Sequence, residues 1–98
     1  MSRPGNMEFS GNTKIAALKR ANHRCEECGF EGYVEVHHLL AIYYAVNYYP
    51  QIAPYLVASL DNAKVLCGDC HRHYDAQEKN EHSYYAAKLL GYFAEIDA

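Results

Sequence analysis

Apolar residues recur at helical spacing over about residues 13–22, where Ile15, Leu18 and Ala21 share one face, and Asn12 or Thr13 stands in place to cap the first turn. The period then shortens. Tyr33 to His38 alternates in the manner of a short strand, and Asn62 to Cys67 reads as a second one. Between them, Leu39 to Tyr49 takes a helical pattern that Pro50 and Pro54 end. Helical spacing returns from His71 to about Glu78, and a last helix is predicted from about Glu81 to Ile96. There Tyr85, Leu89, Phe93 and Ile96 fall on one side as a core stripe or dimer face. Residues 1–11 are rich in Gly, Ser, Pro and Asn and read as a loose leader to a single domain over 12–98. Two strands among several helices place the chain in the α+β class.

Composition sharpens this picture. The chain has 98 residues, half of them apolar, but ten of those are tyrosines, so the aliphatic core is modest. A structural metal would supply stability that so short a chain lacks. Neither a secretory leader pattern nor an apolar run long enough to span a bilayer is visible, which points to a reducing, cytoplasmic setting. Four cysteines in paired spacing then read as metal ligands rather than disulfides. The net charge of −3 excludes a broadly basic coat for nucleic acid, but its distribution is uneven. Residues 1–25 carry +4, residues 26–61 carry −5 with no Lys or Arg, and residues 62–98 carry −2. That layout suits a phosphate-binding arm beside a cation site, or else the wet face of the first helix.

The candidate chemistry lies in three strings: Cys25-Glu26-Glu27-Cys28, Glu35-Val36-His37-His38, and Cys67-Gly68-Asp69-Cys70-His71. Four thiolates at Cys25, Cys28, Cys67 and Cys70 form a set with strong preference for structural Zn2+. Gly29 permits the tight turn that aims backbone N–H groups at the sulfurs. The two pairs are separated by 38 residues, longer than a compact zinc ribbon, so the metal pins both ends of a hairpin. Such a site is closed and carries no reaction. A second, open site is suggested by His71 and Asp75, which share a helix face at i and i+4. His73 is the competing helix ligand if the helix phase differs. Adjacent strand residues face opposite ways, so of His37 and His38 one can bind a cation while the other activates water.

Taken together, Cys-x-x-Cys, Val-His-His-Leu and Asp-Asn-Ala-Lys-Val-Leu-Cys-x-x-Cys-His resemble the HNH endonuclease family, the ββα-metal nucleases. The likeness covers about residues 20–78. It implies two antiparallel strands and a helix around a divalent cation, with phosphodiester hydrolysis as the reaction and DNA as the substrate. Transferred by position, it implies that His38 is the general base, Asn62 ties the hairpin loop and orients His38, and His71 is the final motif histidine. His37, His71 and Asp75 would hold catalytic Mg2+ or Mn2+, and Glu35 would stand as a supporting acid. The four cysteines match the zinc-stabilised branch. Such domains occur in phage, mobile-element and restriction proteins, implying a bacterial or phage-infected cell. Residues 39–60 depart from the family as a longer, tyrosine-rich insert.

Arg72, Arg24, Arg20 and Lys19 are the candidate contacts to the DNA phosphate backbone, with weak sequence specificity. Arg72 could instead be a solvated helix residue. The Tyr43-Tyr44 and Tyr48-Tyr49 pairs suit either base stacking or packing with the hydroxyl in water. His23 and His82 read as surface residues. The expectation is a monomeric or homodimeric metal-dependent DNA endonuclease. The alternative is a zinc-stabilised nucleic-acid-binding or adaptor module that has lost catalysis.

Overall fold

The computed structural model describes residues 5–91, so the expected helix beyond Gly91, with Phe93 and Ile96, lies outside the described residues. A 3-10 turn at Gly5–Met7 leads into α1 (Gly11–Arg20). Strand β1 (Glu35–His38) is followed by α2 (Ile42–Tyr48), α3 (Pro54–Val57), a second 3-10 turn at Leu60–Asn62, and β2 (Ala63–Leu66). The 22-residue helix α4 (Gly68–Leu89) closes the described chain. The strands pair antiparallel, with Glu35 opposite Leu66 and His38 opposite Ala63. The fold is thus α+β, with helices around one small sheet, and no described helix is long and apolar enough to cross a membrane.

Several expectations are corrected. The cap of α1 is Ser10, whose Oγ accepts from the Thr13 N–H, not Asn12 or Thr13. Ile15 is exposed, and Ala17, with Leu18 and Ala21 beside it, faces the interior. β1 begins at Glu35, leaving Tyr33 exposed. The two helices expected after Cys70 are one continuous helix, because no glycine or proline interrupts 69–90. It stops before Gly91, whose φ of +80° lies in the left-handed region. Pro54 does not merely end a helix; it occupies the first turn of another, where its missing N–H costs nothing.

The sheet is covered on both faces. On one side Val36, Ala63 and Val65 pack with Phe9 and Ala17. On the other, Leu66 meets Cys25, Cys67 and Tyr74. The third and largest cluster lies beyond the end of the sheet. It joins Met7, Leu40, Ile42, Ala45, Ile52 and Val57 with Tyr85 and Ala86 of α4. The insert at 39–60 therefore supplies much of the hydrophobic core. The leader is likewise no loose tail over residues 5–10, since Met7 and Phe9 are buried in two different clusters.

Two polar clamps fix the sheet. The knuckle 25–28 lies along β2: Glu26 N–H donates to the Val65 carbonyl at 2.8 Å, and Val65 N–H donates to Glu26 Oε1 at 2.9 Å. This satisfies backbone groups that an edge strand leaves open. Arg20 holds Glu26 in place, donating from Nε at 3.0 Å, and also donates to the carbonyls of Leu60 and Ala63. The second clamp is Asn62, only 1% exposed. Its Oδ1 accepts from Leu40 N–H at 2.8 Å, and its Nδ2 donates to the carbonyls of Leu40 and Val57 at 3.1 and 2.9 Å. The chain leaving His38 is thereby fastened to the turn entering β2.

Replacing Asn62 by Ala strands three buried backbone groups, each worth about 1–3 kcal/mol when left without a partner. Chemical denaturation should register a loss of at least about 2 kcal/mol. Glu78 supplies a second expectation. Its buried carboxylate accepts the Ala41 N–H at the start of α2. Burial pushes its pKa up to about 7 against the opposing effect of that hydrogen bond, and nearby Asp75 adds to the rise. The folded state therefore prefers the neutral acid. The stability this provides is complete below the ordinary carboxylate pKa and is lost as pH rises through about 7. In magnesium-free buffer, Glu78→Gln should gain thermal midpoint relative to wild type as pH goes from about 5 to 8.

Candidate metal centre

The first cluster is built where the knuckle meets the start of α4. Cys25 and Cys28 come from the turn that Gly29 completes at φ +82°, and Cys67 and Cys70 straddle the first turn of α4. The four sulfurs all lie within 4.8 Å of one another. Tetrahedral zinc with Zn–S bonds of about 2.3 Å would set sulfurs about 3.8 Å apart. Cys28 and Cys67 Sγ stand 3.7 Å apart, so the set fits a structural ion such as zinc. Burial opposes the Cys25 thiolate, but backbone N–H groups of Cys67, Cys28 and Glu27 outweigh it and bring its pKa down to about 6. Burial and the three neighbouring sulfurs push the Cys70 thiol up. Tyr74 of α4 ties the same corner, its hydroxyl donating to Glu27 at 2.7 Å.

The second cluster lies across the sheet from α1. His37 points from β1 toward α4, where its ring meets that of His71 edge-on with centroids 4.6 Å apart. One donor atom each from His37, His71 and Asp75 falls within 4.8 Å of the others. His71 Nδ1 stands 3.4 Å from Asp75 Oδ2, the i and i+4 pair anticipated on this helix. Burial first, then His71, holds the His37 pKa down to about 4, so its imidazole is neutral near pH 7. Its Nε2 is buried without a hydrogen-bond partner. A buried polar nitrogen needs a partner, and a cation is one that this donor set could share. His73 is exposed on another part of α4 and lies outside the group formed by His37, His71 and Asp75.

His38 faces away from its neighbour, as strand alternation demands. Its Nε2 donates to the Met7 carbonyl at 2.9 Å, and its ring stacks on Phe9 at 3.8 Å with the planes 8° apart. Even so, His37, His38 and His71 line one hollow of about 230 Å³, together with Val36, Ala41 and Ile42. Asn62 does not line that hollow; it fastens Leu40, two residues after His38. Glu35 accepts from Tyr33 at 3.0 Å and lines a neighbouring hollow with His71 and Arg72.

The four cations considered for phosphate contact are not gathered around this hollow. Arg20 is committed to Glu26 and two carbonyls. Arg24 pairs with Glu31 at 2.6 Å, and Arg72 pairs with Asp69 one turn earlier on α4. Lys19 is exposed near the end of α1. Sequence reasoning missed Glu26, Glu78, Met7 and Phe9. The position of Glu78 seven residues past His71, on the same helix face, is the signal that bears on one of them. Nothing in the sequence distinguishes Glu26 from its neighbour Glu27.

Cys67→Ser should lower the zinc content of purified protein and broaden or abolish the cooperative thermal transition, because Cys67 belongs to both the sulfur cluster and the core beneath the sheet. Metal analysis beside calorimetry reads both effects; a variant with full zinc and an unchanged transition would deny the cluster its structural role. Comparison of the chain with protein-family models, with curated proteins and with solved structures finds no match.

Proposed function

We propose that this chain is an HNH-type, metal-dependent DNA endonuclease. The observation that carries the reading is the donor group of His37, His71 and Asp75, whose two histidines line one hollow together with His38. His37, His71 and Asp75 would hold one divalent cation, and His38, left out of that donor group, would be the general base. Two strands followed by a helix, joined to a four-cysteine cluster, are the arrangement that the family resemblance implies.

In this reading His38 accepts a proton from water as the water oxygen attacks phosphorus. The P–O bond to the leaving oxygen then breaks. His37 is kept neutral and therefore fit to be a ligand, while Asp75 contributes negative charge. When bound, the cation would neutralise charge growing on the phosphoryl and leaving oxygens. Two imidazoles beside one carboxylate favour first-row transition ions over the harder Mg2+, so Mn2+ ranks ahead of Mg2+. Asn62 acts at a distance by fixing the backbone that follows His38. One hollow of this kind cuts one strand, and two sequential nicks or a dimer would break a duplex.

The second reading is a zinc-stabilised nucleic-acid-binding or adaptor module that has lost catalysis, and one observation favours its adaptor form. Arg20, Arg24 and Arg72 are all paired with carboxylates, which leaves phosphate binding poorly provided for. Supercoiled plasmid separates the two readings. Wild type with Mn2+ or Mg2+ should produce nicked circles, and His38→Ala should keep its zinc and its fold while losing at least about a hundredfold in rate. Folded, zinc-loaded wild type that neither binds nor nicks plasmid under any divalent ion would favour the adaptor, and binding without nicking would favour the inactive nucleic-acid-binding module. Equal nicking by both proteins would remove His38 from the mechanism.

A further inference from the structure

The imidazole of His38 is held from outside the sheet by a segment whose sequence gives little sign of importance. Residues 5–10 run from a 3-10 turn into the cap of α1. Two of their side chains are buried to opposite ends. Met7, 8% exposed, enters the cluster formed with α2, α3 and α4, while Phe9, 6% exposed, enters the cluster between α1 and the sheet. The backbone between these anchors crosses the end of β1. There Met7 presents its carbonyl to His38 Nε2 at 2.9 Å, and Phe9 lays its ring flat on the imidazole.

We propose that Met7–Phe9 is a positioning element of the candidate active site, fixing the plane and the tautomer of His38. A carbonyl oxygen can only accept, so the neutral ring carries its proton on Nε2 and its lone pair on Nδ1. The near-parallel stack restrains rotation of the same ring, since turning it would sacrifice both the face contact and the hydrogen bond. The two anchors make the segment stiff, because each belongs to a packed cluster and neither can move without opening a core. Phe9 touches no reacting atom in this scheme and acts only through His38. The catalytic meaning of the arrangement rests on His38 being the base; the geometric claim stands apart from it.

The experiment uses the full chain, zinc-loaded and labelled with 15N, as wild type, Phe9→Leu and Phe9→Tyr. Leucine fills much of the same core space but has no flat face, whereas tyrosine keeps one. Long-range 1H–15N spectra of wild type should show His38 as a single Nε2–H tautomer with a slowly exchanging ring proton. That proton should exchange at least about tenfold faster in Phe9→Leu and at the wild-type rate in Phe9→Tyr. With Mn2+ and plasmid, Phe9→Leu should lose about ten- to a hundredfold in kcat at unchanged KM, with zinc content retained, and Phe9→Tyr should cut as wild type does. An Nδ1–H or mixed tautomer in wild type overturns the proposal, even if Phe9→Leu fails to fold. So does a folded Phe9→Leu with wild-type exchange and kcat. If wild type cuts nothing, the nuclease reading falls, while the spectra still decide whether this segment orders His38.

Discussion

Four cysteine sulfurs gathered within 4.8 Å of one another govern the rest of this molecule. Each strand is only four residues long, too short for a two-stranded sheet to persist unaided. An ion held by the cluster would join the end of β2 to the knuckle that precedes β1, closing the sheet at the place where its hydrogen bonds run out. Glu26 then extends the pairing along β2, and Arg20 fastens Glu26 to the turn before that strand. Without the cluster, the start of α4 would lose its fixed angle to β1, and His71 its distance from His37.

From that frame, two periodicities place the candidate chemistry. The alternation of β1 sends His37 and His38 to opposite faces, into unlike surroundings. His37 enters a buried pocket that keeps it neutral, and His38 rests on an aromatic ring and a carbonyl. The repeat of α4 aligns His71, Asp75 and Glu78 on one side. The first two converge on His37, and the third fastens the start of α2. A single helix face thus supplies metal-type donors at one level and a structural acid at the next. Of the three, His71 lines the hollow, and Glu78 reaches it only through Ala41, whose N–H it accepts.

The division of labour among charged and aromatic side chains follows from size. With a modest aliphatic core, the described fold also enlists charged and aromatic side chains to hold itself together. Arg20 bonds two backbone carbonyls and a carboxylate where a larger domain would rely on more strands. In the tyrosine-rich stretch, Tyr44 and Tyr49 pack against the main cluster, and His82 stacks on Tyr44 while Tyr49 bonds its Nδ1 at 2.6 Å. His82 is therefore part of an aromatic assembly with α2 rather than a bare surface residue.

The sequence by itself determined what depends on local spacing. Paired cysteines named the sulfur cluster, alternation separated His37 from His38, and the i and i+4 rule put Asp75 with His71. These follow from covalent geometry, which the chain carries wherever it folds. Tertiary structure alone decided the rest. It left His73 outside the donor group, tied Arg20 to Glu26 and to the turn before β2, made 39–60 a core element, and brought Met7 and Phe9 against His38. Each of these depends on contacts between segments up to 43 residues apart. A polar leader containing two apolar residues looks the same in sequence whether it is free or pinned; only the neighbouring clusters that receive Met7 and Phe9 make the difference.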